Sequence, residues 1–398
     1  MRDTTVAFHE LSFVPEGDEV VVGRKDTGSY AVLPSDGAAL LGRLTDGEPL
    51  DEAARWYEST FGEPVDIDDF LETLRDLGFV RAGGTETPPP QRVRLRRLGR
   101  LVFSPAAWLC YAAIVVAWVV ATAGHHELLP NPHQIFFTSS LVLVQLGITV
   151  GQVPLIFLHE ASHMLAARRL GLASRLGMSN RFTYVVFETR MNGLLSVPGG
   201  KRYLPLLSGM ATDVVVLSLL GLLAAATRHA DGTFSLAGRV ALALAFTVVM
   251  RLGWQFQFYL RTDLYYVLAT ALRSHDLHEV STTVLRNRIW RLLGRPERMV
   301  DERQWSERDR RMGRWYGPLV VLGIAVMLAL TILATVPVVW YYAGTIARHL
   351  GTGRFDLEFA DAVFSLVFNA GWVFLAVYLA KRKRREAAPN RPYQTAAE

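Results

Sequence analysis

Residues 151–171 read GQVPLIFLHEASHMLAARRLG, and the fold turns on this stretch. Its apolar start continues a run that begins near residue 137, and roughly 20 such residues cross a bilayer. Yet it holds His159, Glu160 and His163. An ionisable side chain inside a span is costly and marks a functional site by default. On a helix, positions four apart share a face, so His159 and His163 can turn their imidazoles toward one zinc ion. Glu160 is then near enough to take a proton from an attacking water without being a ligand. The pattern H-E-x-x-H arises by chance in about one sequence in a hundred of this length and composition. The plain alternative is a polar helix end beside Arg168 and Arg169, which leaves the cost of three ionisable groups unexplained.

The rest of the chain supports a membrane reading. It has 398 residues, 51% hydrophobic, with a mean hydropathy of +0.21. Six apolar spans are expected, at about 106–124, 137–158 (continuing as helix to 169), 205–226, 236–258, 318–342 and 359–379. Basic clusters precede the first span (RVRLRRLGR), follow the second (AARRLG), fill 273–314 and follow the sixth (KRKRRE). The alternate loops are poor in basic residues, so the positive-inside rule puts both termini in the cytoplasm of a multi-pass cell-membrane protein. The start, MRDTTVAFHELSF, lacks the apolar core of a signal peptide, so the front is expected to stay on the side where it is made. The lone Cys110 excludes an internal disulfide framework and a cysteine metal site.

Between the second and third spans, 172–203 has strand-like alternation with turn signals at MNG and PGG. It is expected to be a re-entrant β-hairpin, a form tolerated only where protein or a wet cavity shields it. The loop 273–316 reads as polar and amphipathic helix at the cytoplasmic surface.

A catalytic zinc site needs a third protein ligand and one position for water. Asp263, in FYLRTDLYYVL, sits at the cytoplasmic end of the fourth span, the same depth as the two histidines. Metal-site carboxylates project from facing helices in this way. Asp213, in LSGMATDVVV, is its rival, with a helix contact or a hydrogen bond to substrate as its other roles. His275, Asp276 and His278 follow the span and read as solvated loop, while His125, His126 and His133 fall on the opposite side.

Residues 1–82 hold 7 Lys/Arg against 18 Asp/Glu, a balance of −11, while the remainder stands at +16. EVVVGR and SYAVL alternate like paired strands around KDTG. SDGAALLGRL, LDEAARWYESTFG and DIDDFLETLRDLGFV each open on Ser or Asp, or just before Asp, and carry apolar residues at helical spacing. Strands followed by three short helices suggest a small α+β, winged-helix-like domain. Winged helices often bind DNA, but a domain this acidic is repelled by phosphates, so no nucleic acid is expected. Peptide capture by strand addition remains open to it. The expected organisation is therefore a front domain at 1–82, a linker and basic juxtamembrane segment at 83–105, a mainly α membrane domain at 106–383 and a tail at 384–398.

Two resemblances sharpen this outline. FLHEASHMLAARRLG, a β-like segment, a span opening PLLSGMATD and then RTDLYYVL together resemble the site-2-protease class of intramembrane zinc metalloproteases, over roughly 137–272. The resemblance implies His159 and His163 as zinc ligands, Glu160 as base and Asp263 as third ligand. That family usually has glycine after the aspartate, where this chain has Leu264. In it the hairpin presents an unwound substrate strand, which points to Asn192 and Gly193 here, with Asp213 a further substrate contact. The front domain resembles the PqqD-like domains that recognise leader peptides in ribosomal peptide biosynthesis, over about 70 residues and as pattern. By that resemblance a leader adds beside the strand of Tyr30 and Val32 and packs on a helix face including Phe70 and Leu74, although each apolar residue reads equally as core. The expected function is cleavage of such a membrane-associated precursor peptide. The alternatives are regulated proteolysis of a transmembrane signalling protein, and a non-catalytic binding, export or immunity component.

Overall fold

The computed structural model describes residues 5–24, 29–81, 93–181, 184–191, 193–274, 277–302, 305, 307–353 and 356–387. The front of the chain pairs β1 (Leu11–Glu16), β2 (Glu19–Arg24) and β3 (Tyr30–Pro34) into an antiparallel sheet in that order. Phe13 faces Val22 and Val21 faces Val32 across it. The strand β1 comes in addition to the two strands expected, and it carries Pro15. Proline is tolerated at a sheet edge, where its missing N–H breaks no ladder, and β1 is an edge strand. Three helices follow: α1 (Ser35–Thr45), α2 (Leu50–Phe61) and α3 (Ile67–Asp76). The Asp66 side chain accepts from the N–H groups of Asp68 and Asp69 and so starts α3. Gly62, at φ 79°, ends α2 in the left-handed region that favours glycine. The helices bury Leu40, Leu41, Leu44, Leu71 and Leu74 against Val22 and Phe79. Each such side chain contributes roughly 1.5–3 kcal/mol by leaving water.

The remainder is mainly helical: α4 (Arg96–Val102), α5 (Pro105–Gly124), α6 (Leu141–Arg169), α7 (Gly199–Ala226), α8 (Leu236–Trp254), α9 (Asp263–Leu272), α10 (Leu277–Leu292), α11 (Glu307–Thr352) and α12 (Leu357–Ala387). Among the described residues six helices, α5 to α8, α11 and α12, are long and apolar enough to cross a membrane. The chain has the make-up of a multi-pass membrane protein. Leu109, Val116 and Val120 of α5 point outward, as lipid-facing residues do. The central helix is α7, which packs on α5, α6, α8 and α9. Small residues on its path, such as Gly209 and Ala224, let helices approach without the hydrophobic drive available in water.

Between α6 and α7 stands an antiparallel hairpin of β4 (Ser174–Arg181) and β5 (Tyr184–Met191). Several expectations shift. The PGG stretch is not a free turn, since Pro198 precedes α7 and Gly199 opens it. The helix therefore starts before the expected 205 and carries Pro205 inside it. The fourth span stops at Trp254 rather than 258. The chain there makes a 3-10 turn at Phe258–Leu260, and Arg261 takes φ 54°. Asp263 thus opens its own short helix, α9, instead of riding the end of a span. The fifth span is part of a longer helix, α11, which extends the expected 318–342 at both ends.

Candidate metal centre

The helix α6 carries His159, Glu160 and His163 inward, all three buried. His159 Nε2 lies 3.2 Å from Asp263 Oδ2, His163 Nε2 lies 3.3 Å from the same oxygen, and the two Nε2 atoms are 3.1 Å apart. Zinc–nitrogen and zinc–oxygen bonds of about 2.0–2.1 Å at tetrahedral angles put donor atoms about 3.3 Å apart. The three side chains are set at that spacing.

Proton placement makes the case chemical. His159 Nδ1 faces Asp213 Oδ2 at 2.9 Å, and His163 Nδ1 faces the Pro205 carbonyl at 2.7 Å. A carboxylate and a carbonyl only accept, so each imidazole donates from Nδ1. In the neutral ring Nε2 then presents a lone pair. With both rings in that form, two lone pairs and a carboxylate oxygen would converge with no hydrogen between them. A cation is the species that turns this repulsion into attraction. The arrangement also fits a metal site in its outer contacts, because ligating histidines regularly donate their second N–H to a carboxylate or carbonyl.

The neighbours of these groups are equally ordered. Asp213 is fully buried and is held by Arg251, whose Nε donates to Oδ2 at 2.9 Å and Nη2 to Oδ1 at 2.5 Å. Asp263 is fixed by Gln255, which donates from Nε2 to Oδ2 and accepts the Asp263 N–H at Oε1, both at 3.0 Å. Thr189 of β5 donates to the Glu160 carboxylate at 2.7 Å, so the hairpin restrains the candidate base. Gly209 of α7 lies under both rings: a Cβ there would fall 2.3 Å from His163 Nε2 and 2.6 Å from His159 Nε2. A cavity of about 900 Å³ opens over the group, bounded by α6, β5, α7 and α9.

The residues singled out in the sequence separate as follows. His159, His163 and Asp263 come together as a set able to hold a metal, with Glu160 beside them. Asp213 sits behind His159, on its Nδ1, rather than among the converging atoms or facing the cavity, which corrects its reading as third ligand or substrate contact. Gly193 is buried and, at φ 75°, turns the chain into the 3-10 segment Leu194–Ser196. Asn192 lies outside the described residues. Tyr30 lines the cavity, and Val32 is partly buried opposite Val21. Phe70 packs against the front-domain core. Leu74 is wholly inside that core, so it offers no face to a peptide, and its reading as a contact is corrected. Reading the sequence missed Arg251, Gln255, Thr189 and Gly209. A charged residue near the end of an otherwise apolar span was the one signal available, at Arg251.

No family model, curated protein or solved structure matches the chain.

Proposed function

We propose that the protein is a membrane-embedded zinc endopeptidase of the site-2-protease type, acting on a precursor peptide captured by its front domain. The observation that carries this reading is the convergence of the His159 and His163 Nε2 atoms and the Asp263 carboxylate, beside Glu160, in an apolar helix bundle. His159, His163 and Asp263 would hold the zinc, which when bound supplies Lewis acidity to the scissile carbonyl and an acidified water. Glu160 would accept a proton from the attacking water and deliver it to the leaving amine. Thr189 keeps the carboxylate turned toward the cavity, and the surrounding helices limit bulk water. In this reading β4 and β5 form the re-entrant hairpin, and the front domain is a winged-helix-like relative of the PqqD type. Both termini lie in the cytoplasm, and the lipid bilayer is the working environment.

The test uses the full chain in lipid nanodiscs. The purified protein should carry one zinc per chain and lose it on His163→Ala. Glu160→Gln should keep zinc but cut cleavage of the precursor peptide by about 10²–10⁴-fold, the usual worth of a positioned proton-transfer group. Full cleavage by Glu160→Gln, or no stoichiometric metal in the native protein, would defeat the proposal.

A further inference from the structure

The cavity over the metal-ligand group is not closed by membrane helices alone. Glu16 and Tyr30, both from the front sheet, line the same space as His159, Glu160 and Asp263. One ion pair and two close approaches place the front domain there. Arg202 of α7, 2% exposed, pairs with Glu16 at 2.6 Å. Its guanidinium is already fixed by the membrane part, because Nε donates to the Val197 carbonyl at 2.6 Å and Nη2 to the Leu195 carbonyl at 2.7 Å. Glu16 therefore meets a pre-set charge whose burial without a partner is costly. The second contact is the backbone of β2 against the 3-10 segment that follows β5. A Cβ on Gly23 would come 2.7 Å from Ser196 Oγ and 3.1 Å from the Ser29 carbonyl. The third is the β1–β2 turn, where a Cβ on Gly17 would lie 3.6 Å from Arg273 Nη1. The net charges, −11 for residues 1–82 and +16 for the rest, favour the same approach.

These contacts separate two arrangements. A domain merely tethered through 83–92 would raise the local peptide concentration and touch nothing. It would also leave Arg202 without its carboxylate. We infer instead that the front domain is a fixed wall of the metal cavity, and that an extended peptide lying along β3 at Tyr30 runs on into that cavity toward Glu160. Capture and cleavage then share one groove. The occupant is a peptide in extended form because β3, whose Tyr30 lines the cavity, is an outer strand of its sheet, and an outer strand offers main-chain pairing to such a chain. The 3-10 segment under Gly23 directly follows the hairpin whose Thr189 restrains Glu160. Docking of the front domain and placement of the base thus involve the same stretch of chain. This inference rests on the endopeptidase reading for its ligand, but the wall is testable without it.

The experiment has two arms, both on the full chain in nanodiscs with Cys110→Ser. In the first, Gly23→Cys is combined with Ser196→Cys. A docked domain should form the disulfide spontaneously and in most molecules. Failure to form it overturns the inference, whether or not the protein binds metal. In the second, zinc-loaded protein is given an extended peptide hydroxamate with a benzophenone at the end remote from the hydroxamate. Photocrosslinks should map to β3, and Gly23→Trp, which breaks the contact with Ser196, should lower them at least tenfold. Crosslinks confined to the membrane helices overturn the shared groove. A protein that forms the disulfide but binds neither zinc nor hydroxamate would sink the endopeptidase reading and the groove with it, while the wall stands.

Discussion

In the front domain the fully buried side chains include Leu40, Leu41, Leu71, Leu74 and Phe79; in the membrane part the buried set includes His163, Arg202, Ser208, Asp213 and Thr262. The exposed faces differ in the reverse sense. The outward residues of α5 are apolar and include leucine, valine and tryptophan, whereas α2 and α3 turn Glu58, Asp69 and Glu72 to solvent. One solvent expels oil and the other expels charge. In water, burial follows hydrophobicity and the core holds the domain together. In lipid, apolar contact with a neighbouring helix gains little over contact with an acyl chain. Polar side chains gather inside because no other place satisfies them. A buried leucine in the first region therefore reports on stability, and a buried polar residue in the second reports on the site.

The sharpest way to break this contrast is at Gly209. Gly209→Ala adds one methyl group, an apolar change that a water-soluble core often absorbs. Here the new carbon lands on both imidazoles. Zinc affinity should fall by roughly a hundredfold or more, the upper end of what disturbed ligand support costs. Competition with a chromophoric chelator measures it, with circular dichroism as the check that helices persist. Unchanged affinity would mean that the rings do not sit where α7 places them.

Leu74→Ala tests the other region. It should destabilise the front domain by about 2–5 kcal/mol, the usual range for an emptied leucine site, and leave zinc content untouched. A loss of zinc in Leu74→Ala would show that the two regions do not answer separately.

The contrast also governs what the sequence could reveal. The six spans were legible in number and rough position because length and hydropathy decide them, while the ends of the third, fourth and fifth lie elsewhere than expected. His159, Glu160 and His163 were legible because three ionisable groups in an apolar run have no structural excuse. Asp263 was found by matching its depth in the membrane, although it stands on a separate helix, α9, and not on the fourth span. What stayed hidden was what contacts across the fold decide. Gly209 is one glycine among 32 until α7 is laid against α6. Asp213 could be recognised as important but not assigned, since nothing local says that it faces Nδ1 rather than the metal side. Strand β1 carries Pro15, which is informative only once the strand is known to be an edge.

Arg251 gives a more graded test within the membrane part. It touches no converging atom and acts through Asp213 on the ring of His159. Arg251→Ala should lower zinc affinity about 10–100-fold, as other losses of outer-shell support do. Arg251→Lys should recover only part of it, because an ammonium cannot reproduce the two-point grip on the carboxylate. With Co²⁺ in place of zinc, the visible bands of Arg251→Ala should shift as His159 reorients. Identical spectra would reduce Arg251 to a packing residue.

The smallest effect belongs to the water-facing surface. Tyr57 donates its hydroxyl to Asp36 Oδ2, a bond between α2 and α1. That bond is the main cause holding the Asp36 carboxyl below its ordinary value, and it pushes the Tyr57 hydroxyl up to about 12. The signs follow by linkage. A lowered carboxyl contributes fully above the ordinary carboxylate range and loses its contribution as pH falls through the folded-state value. A raised phenol contributes below its ordinary value near 10 and loses its contribution as pH climbs toward 12. Tyr57→Phe should therefore cost most between those limits and progressively less toward strong acid or strong base. Because both groups are part-buried and still reached by water, the cost at neutral pH should be about 1 kcal/mol. Thermal melts of the native protein and Tyr57→Phe at pH 7 and pH 3 measure it through the front-domain transition. An equal gap at both pH values would show that the tyrosine contributes only its ring to the packing of α2, and that the charge on Asp36 adds nothing.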